Sequence, residues 1–207
     1  MESVAITVTK GRPREFCTDA ALAAALRVFW SKGYEGASMA ELTEAMGITK
    51  PSLYAAFGNK EALFRKALDL YESEKLRYIS QALAAPTARE VAAALLRGAL
   101  ASQTGSGPKG CLGVISAVAC GVEAESIRQE VIARRVSSQR AIFDRFERAK
   151  AEGDLPADAD VQGLASYLMA IVQGMAVQAG AGAAPAELER LIDTSLAMWP
   201  TGKTVDA

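Results

Sequence analysis

Apolar residues recur every three or four positions along most of the chain, and Gly, Pro and capping residues interrupt them often enough to mark out helices. Thr18 and Asp19 are residue types that begin helices, and Leu22, Ala25, Leu26 and Phe29 then share one apolar face. Gly33 is placed to end that helix. Ser38 and Glu41 stand in the S-x-x-E spacing of a capping box, so a second helix begins there with Leu42, Ala45 and Met46 turned inward. Gly47 stops it after roughly two turns. Thr49 caps a third short helix whose first turn holds Pro51, where a missing N–H costs nothing. Leu53 and Phe57 share its buried face and Gly58 closes it. Asn59 caps a longer helix that carries Leu63, Phe64, Ala67, Leu68 and Tyr71 and runs on towards Ala84.

Beyond Pro86 the apolar segments lengthen, to 87–104, 110–122, 124–152, 159–180 and 185–199. Their breaks fall at "TGSGPKG", Gly121, "EGDLPADAD" and "GAGAAP". No strand-like alternation of useful length occurs. The expected fold is all-α. An arm (1–17) leads into a head of short helices (18–72), then come a helical bundle (73–200) and a short tail (201–207).

Composition narrows the function. The chain is 50% hydrophobic and 23% charged, as ordinary globular domains are. Its net charge of −1 means that any nucleic-acid contact must come from a local basic surface, and Lys10, Arg12 and Arg14 cluster in the arm. There is no His, which removes the commonest general base and metal ligand. No zinc spacing, phosphate loop or nucleophile elbow is present either, so neither an enzyme nor a cofactor or metal is expected. Three cysteines are too few for a disulfide scaffold. The opening stretch lacks the apolar run of a secretory signal, so a cytoplasmic chain is expected. Val161 to Ala186 carries no charged residue, but Gln162, Ser166, Gln173, Gln178 and Pro185 make it a buried or dimerising helix rather than a membrane span.

Two short helices joined by Gly47, Ile48 and Thr49 make a helix-turn-helix. With Leu53 and Phe57 buried, Pro51, Ser52, Tyr54 and Ala55 face outward, and Lys50 sits at the helix N-terminus. A short helix with small, polar and cationic residues at its start suits entry into a DNA major groove. Ser38, Asn59 and Lys60 offer N–H groups and charge for phosphates. The plainer alternatives are a packing hairpin, with Tyr54 as a half-buried core aromatic and Lys60 as a solvated charge.

The run "GRPREF…AALRVFWSKGYEGASMAELTEAMGITKPSLYAAFGNKEALFRKAL" resembles the DNA-binding domain of the TetR family of transcriptional regulators, a match that covers about Gly11 to Tyr71. The resemblance implies an all-α homodimer with a helix-turn-helix head and a C-terminal ligand-binding and dimerisation bundle. It further implies a ligand-responsive regulator, a repressor above all, acting on a palindromic double-stranded DNA operator. Carried over position by position, Lys50, Pro51, Ser52, Tyr54 and Ala55 match groove contacts. Ser38 and Lys60 match phosphate contacts, with Thr49 at the helix cap, and Arg12 and Arg14 belong to an arm that reaches an adjacent minor groove. Cys17 departs from the polar residue expected there, outside the motif.

The last two long helices are the expected dimer face, through Leu164, Leu168, Ile171, Gly174, Met175, Leu188, Leu191 and Ile192; the alternative is that they form the core of one chain. A small-molecule effector pocket is implied by the family. Its candidates are Leu96, Leu100, Cys111, Val114, Val118, Phe143, Phe146, Tyr167 and Met175, which also read as plain core. Cys111 and Cys120 lie on opposite sides of one helix, which rules out a bridge between them. Cys111 follows Gly110 and is either a reactive thiol in a first turn or a small buried hydrophobe.

Overall fold

The computed structural model describes residues 17–118 and 124–200; Arg12, Arg14, Cys120 and the side chain of Val118 lie outside the described residues. Ten helices and no strand occur among the described residues. The head is α1 (Thr18–Gly36), α2 (Met39–Met46), α3 (Lys50–Phe57) and α4 (Lys60–Lys75). The body is α5 (Arg77–Leu83), α6 (Ala88–Thr104), α7 (Leu112–Val118), α8 (Glu125–Ala151), α9 (Val161–Gly180) and α10 (Pro185–Ala197).

The short helices begin where their capping residues stand. The Ser38–Glu41 box is formed in both directions, Thr49 Oγ1 accepts from the Ser52 amide, and Asn59 Oδ1 accepts from the Ala62 amide at 2.7 Å. A second capping box, Thr87 with Glu90, starts α6. At Gly33 (φ 71°, ψ 179°), where the sequence ends the first helix, the backbone leaves the helical region, and a short helical piece follows to Gly36 within α1. One boundary differs from the sequence expectation. The expected long helix from Asn59 to Ala84 is broken at Leu76. No Gly or Pro marks that break; Leu76 packs against the head core, and the Lys75 carbonyl accepts from Ser102 Oγ of α6 at 3.1 Å.

Two apolar clusters hold the chain. In the head, Phe29, Phe64, Tyr34, Trp30 and Tyr71 form edge-to-face pairs around Leu42, Leu53 and Leu63. Such pairs add to the burial of large apolar areas. Leu112 of α7 with Ile127 and Val131 of α8 complete this cluster, so the body supplies part of the head's core. The second cluster joins α5, α6, α8, α9 and α10, with Phe146 packed against Trp199 at 5.5 Å between ring centroids.

Candidate nucleic-acid interface and internal cavity

The turn between α2 and α3 needs a left-handed residue. Gly47 has φ 66° and ψ 29°, and its amide closes on the end of α2. A side chain at that φ would be strained, which is why the turn carries Gly. Ile48 is partly buried against the head core and locks the angle between the two helices.

On α3, Leu53 and Phe57 are buried while Lys50, Pro51, Tyr54, Ala55 and Ala56 are exposed. Ala56 is a surface residue beyond the expected set. Tyr54 is 45% exposed and stands outside the core, with Lys50 Nζ 5.9 Å from its ring centroid. Ser52 is half-buried and shares a hydrogen bond with Thr49 at 2.9 Å between hydroxyl oxygens. Lys60 Nζ lies 4.6 Å from the ring centroid of Tyr34, so the cation is held on the head surface by an aromatic platform.

Ser38 is committed within the chain. Its amide and hydroxyl both donate to the Glu41 carboxylate, at 3.0 and 2.9 Å. Glu41 also pairs with Lys32 of α1. The hydrogen bond from Lys32, then those from Ser38, lower the Glu41 pKa to about 2. The donors that α2 leaves open at its start are the Met39 and Ala40 amides, next to the expected phosphate contact.

A cavity of about 160 Å³, partly open to solvent, lies where α4 meets the body. Its wall takes Leu68, Tyr71 and Glu72 from α4, Tyr78 and Ile79 from α5, and Gln103 from α6, with further residues from α7, α8 and α9. Cys111 and Val114 of the expected pocket set belong to this wall. The others lie elsewhere: Leu96, Phe146 and Met175 are fully buried in the second core, and Leu100, Phe143 and Tyr167 pack against it from its edge. Helical periodicity identifies a buried face but not whether a neighbour fills the space opposite it, so Tyr71, Tyr78 and Gln103 went unexpected. Burial raises the pKa of both Tyr71 and Tyr78, and Cys111 beside them adds to the effect.

At the cavity rim an ion-pair network ties α4 to α8. Arg134 bonds Asp69, Glu72 and Glu130 at 2.7, 2.8 and 2.6 Å, and Arg65 bonds Glu130 at 2.5 Å and Glu61 at 2.6 Å. Burial opposes the charge on Arg134, yet the three carboxylates hold its pKa above the ordinary arginine value.

Among the proposed dimer residues, Leu168, Met175, Leu188 and Ile192 are fully buried inside the single chain. They are core, a correction to the expectation that they form an outward face. Leu164, Ile171, Gly174 and Leu191 are only partly buried. Val177 on α9 and Met198 at the end of α10 are 58% and 67% exposed. Val177 follows Gly174 by three residues and Met198 follows Leu191 by seven, so each continues a partly open stripe.

Residues 21–67 match the family described as bacterial regulatory proteins, tetR family, and residues 88–195 match the tetracyclin repressor-like C-terminal domain. The HTH-type transcriptional repressor ComR of Escherichia coli (strain K12) is 34% identical over 195 residues, covering 93% of each chain. This chain is a member of the tetR family. A stretch of 61 residues is 49% identical to the HTH-type transcriptional repressor BdcR of the same organism, across 30% of this chain and 31% of that one. Among solved structures, a cysteine variant of the TetR family transcriptional regulator CifR, complexed with 26 bp double-strand operator DNA, superposes with a TM-score of 0.86. It is 45% identical and the match covers 91% of this chain and 100% of that one. Among the described residues of this family member, no helix is long and apolar enough to cross a membrane.

Proposed function

We propose that this TetR-family chain is a ligand-responsive, sequence-specific transcriptional repressor that acts as a cytoplasmic homodimer on a palindromic DNA operator, with no enzymatic activity of its own. The observation that carries the reading is the surface of α3. The helix is short, one face is locked into the head by Leu53 and Phe57, and the other presents Lys50, Pro51, Tyr54 and Ala55. In this reading those residues and Ser52 enter the major groove, while the starts of α2 and α4, with Thr49 and Lys60, meet phosphates. Arg12 and Arg14 extend the contact into the minor groove. The operator complex of CifR and the repressor names of ComR and BdcR support the assignment.

A palindrome needs two heads about 34–36 Å apart, or a multiple of that. The stripe of Ile171, Gly174 and Val177 on α9, with Leu191 of α10 and Met198 just after it, is the proposed dimer face. Effector binding acts through the cavity because α4 is at once the last helix of the head and part of the cavity wall. A ligand that fits one position of α4 better than another changes the spacing of the heads.

The test is an anisotropy titration against the DNA flanking the chain's own gene, at two salt concentrations. Specific binding that weakens steeply with salt, and that Tyr54→Ala abolishes without unfolding the chain, is expected. Equal, weak binding to flanking and random DNA, with no specific sequence recovered by selection from random DNA, overturns the reading.

A further inference from the structure

We propose that the ion pairs between Arg134 and α4 are a latch. Closed, they hold the head in the position that binds DNA; a ligand in the cavity opens them. The inference rests on the reading of the cavity as the effector site.

The bonds between α4 and α8 advance in step along both helices. Ser126 Oγ donates to Glu61 at 2.8 Å, Arg65 bonds Glu130 at 2.5 Å, and Arg134 bonds Asp69 at 2.7 Å and Glu72 at 2.8 Å. The two helices therefore run side by side in the same direction. One end of this seam is anchored, because Ile127, next to Ser126, is buried in the head cluster and is not part of the cavity wall. The other end borders the cavity, whose wall contains both Glu72 and Arg134. A molecule that needs more room there pushes α4 from α8 at the latched end first.

The latch can open without stranding a charge. Arg134 also bonds Glu130, four residues earlier on its own helix, at 2.6 Å. That partner stays with it when α4 withdraws. Asp69 is 64% exposed and Glu72 is partly exposed, so water takes over both carboxylates. An apolar seam would expose hydrocarbon on opening, and a buried pair would leave an uncompensated charge. These pairs incur neither cost, which suits a two-state contact that a ligand biases.

Movement of α4 reaches the DNA-facing surface through the head core. Leu63, Phe64 and Ala67 of α4 are fully buried in one cluster with Leu42 of α2 and Leu53 of α3. The three helices move as one body, so a tilt of α4 changes where α3 lies. The break at Leu76 separates α4 from α5 and lets α4 tilt without carrying α5 along.

The test uses Asp69→Lys in the full chain, which sets a like charge beside Arg134 at an exposed position outside the cavity wall. Three quantities are measured: hydrogen exchange, affinity for operator DNA, and affinity for N-phenyl-1-naphthylamine, a neutral apolar dye that fluoresces on leaving water. Exchange is expected to rise over residues 68–75 of α4 and not over 60–66. Operator binding weakens roughly fivefold or more, although the added positive charge alone would favour DNA. Dye binding tightens by a similar factor, because the closed latch no longer opposes it. A merely structural loss lowers both affinities together. Unchanged exchange over 68–75, an equal rise along all of α4, operator affinity at or above that of the parent, or dye affinity that falls with operator affinity overturns the latch. Asp69→Asn repeats the test with a smaller effect if the lysine variant fails to fold. A parent chain that binds no specific DNA refutes the repressor reading, and the exchange pattern then decides the latch. A dye that binds the parent without weakening operator binding refutes the cavity as effector site, and exchange with operator affinity then decides the latch, as they do for a dye that does not bind.

Discussion

Tyr54 has the exposure of a surface residue and the size of a core one, and that mismatch is what a contact residue looks like before its partner arrives. Tyr54→Ala is expected to change folding stability by no more than about 0.5 kcal/mol, since nothing is buried behind it. Operator affinity falls at least roughly tenfold, the measure of a lost groove contact of about 1.4 kcal/mol or more. Denaturant melts and anisotropy titrations of the same preparation separate the two effects. Ser38 tests the opposite case. Ser38→Ala removes the cap of α2 and is expected to cost about 1 kcal/mol of stability in a urea melt. The Glu41 half of that box sets its pH response. Because Lys32 and Ser38 lower the folded pKa from 4.5 to about 2, the contribution is complete above the ordinary glutamate range and fades as pH falls towards about 2. The Lys32→Ala variant moves that loss to higher pH, which titration of Glu41 by NMR reads directly.

At the scale of elements, two glycines govern how the body helices approach. Gly98 faces the Tyr78 ring so closely that an added Cβ would lie 2.4 Å from Cδ2 and 2.7 Å from Cβ. Gly98→Ala must therefore push α5 away from α6, at an expected cost of about 1–3 kcal/mol. The same shift displaces Tyr78 from the cavity wall, and the melting midpoint falls. Gly110 holds three elements at one point. Its carbonyl accepts from Trp30 Nε1 of α1 at 3.2 Å, its amide donates to Gln103, and its Cα faces α9, where a Cβ would lie 2.9 Å from the Ala176 carbonyl oxygen. With φ at +84°, Gly110→Ala combines backbone strain and a clash, and a loss of about 1–3 kcal/mol with a shifted Trp30 emission is expected. Sequence patterns place a turn at "TGSGPKG" without showing that it joins head, cavity and body.

For the whole molecule, the coupling of head to body runs through shared core and charge. Leu112, Ile127 and Val131 finish the head's apolar cluster, and Arg134 clamps α4 to α8. Arg134→Ala leaves Glu130 with Arg65 alone and is expected to cost about 1–2 kcal/mol, a modest figure because Asp69 and Glu72 are partly exposed. Hydrogen exchange in α4 should rise more than in α2 or α3. Oligomerisation belongs to this scale as well. Val177→Glu and Met198→Glu place charge on the two most open apolar side chains of α9 and α10, and light scattering is expected to show monomers where the parent chain forms dimers. Dimers that persist in the double variant place the contact elsewhere.

The head was the most legible part of the chain. Its capping box, its Gly47 turn and the four-residue spacing of Leu53 and Phe57 are local signals, in which a few neighbouring residues decide the backbone and one face. Those patterns by themselves determined an all-α chain, the order of nearly every helix and most of the outward set on α3, with Ser52 half-buried and Ala56 exposed beyond it. Everything that depends on what lies opposite a face was left to tertiary structure. Leu168, Met175, Leu188 and Ile192 have the same pattern whether they meet their own chain or a second copy, and only packing placed them in the core. Leu96 and Phe146 likewise read as pocket or core until the cavity appeared on the α4 side of the bundle. The break at Leu76 carries no breaker residue because contacts from α6 and the head core impose it. Local chemistry is written in adjacent residues, whereas cavities, hinges and free surfaces arise from residues far apart in the chain, whose distances no short pattern encodes.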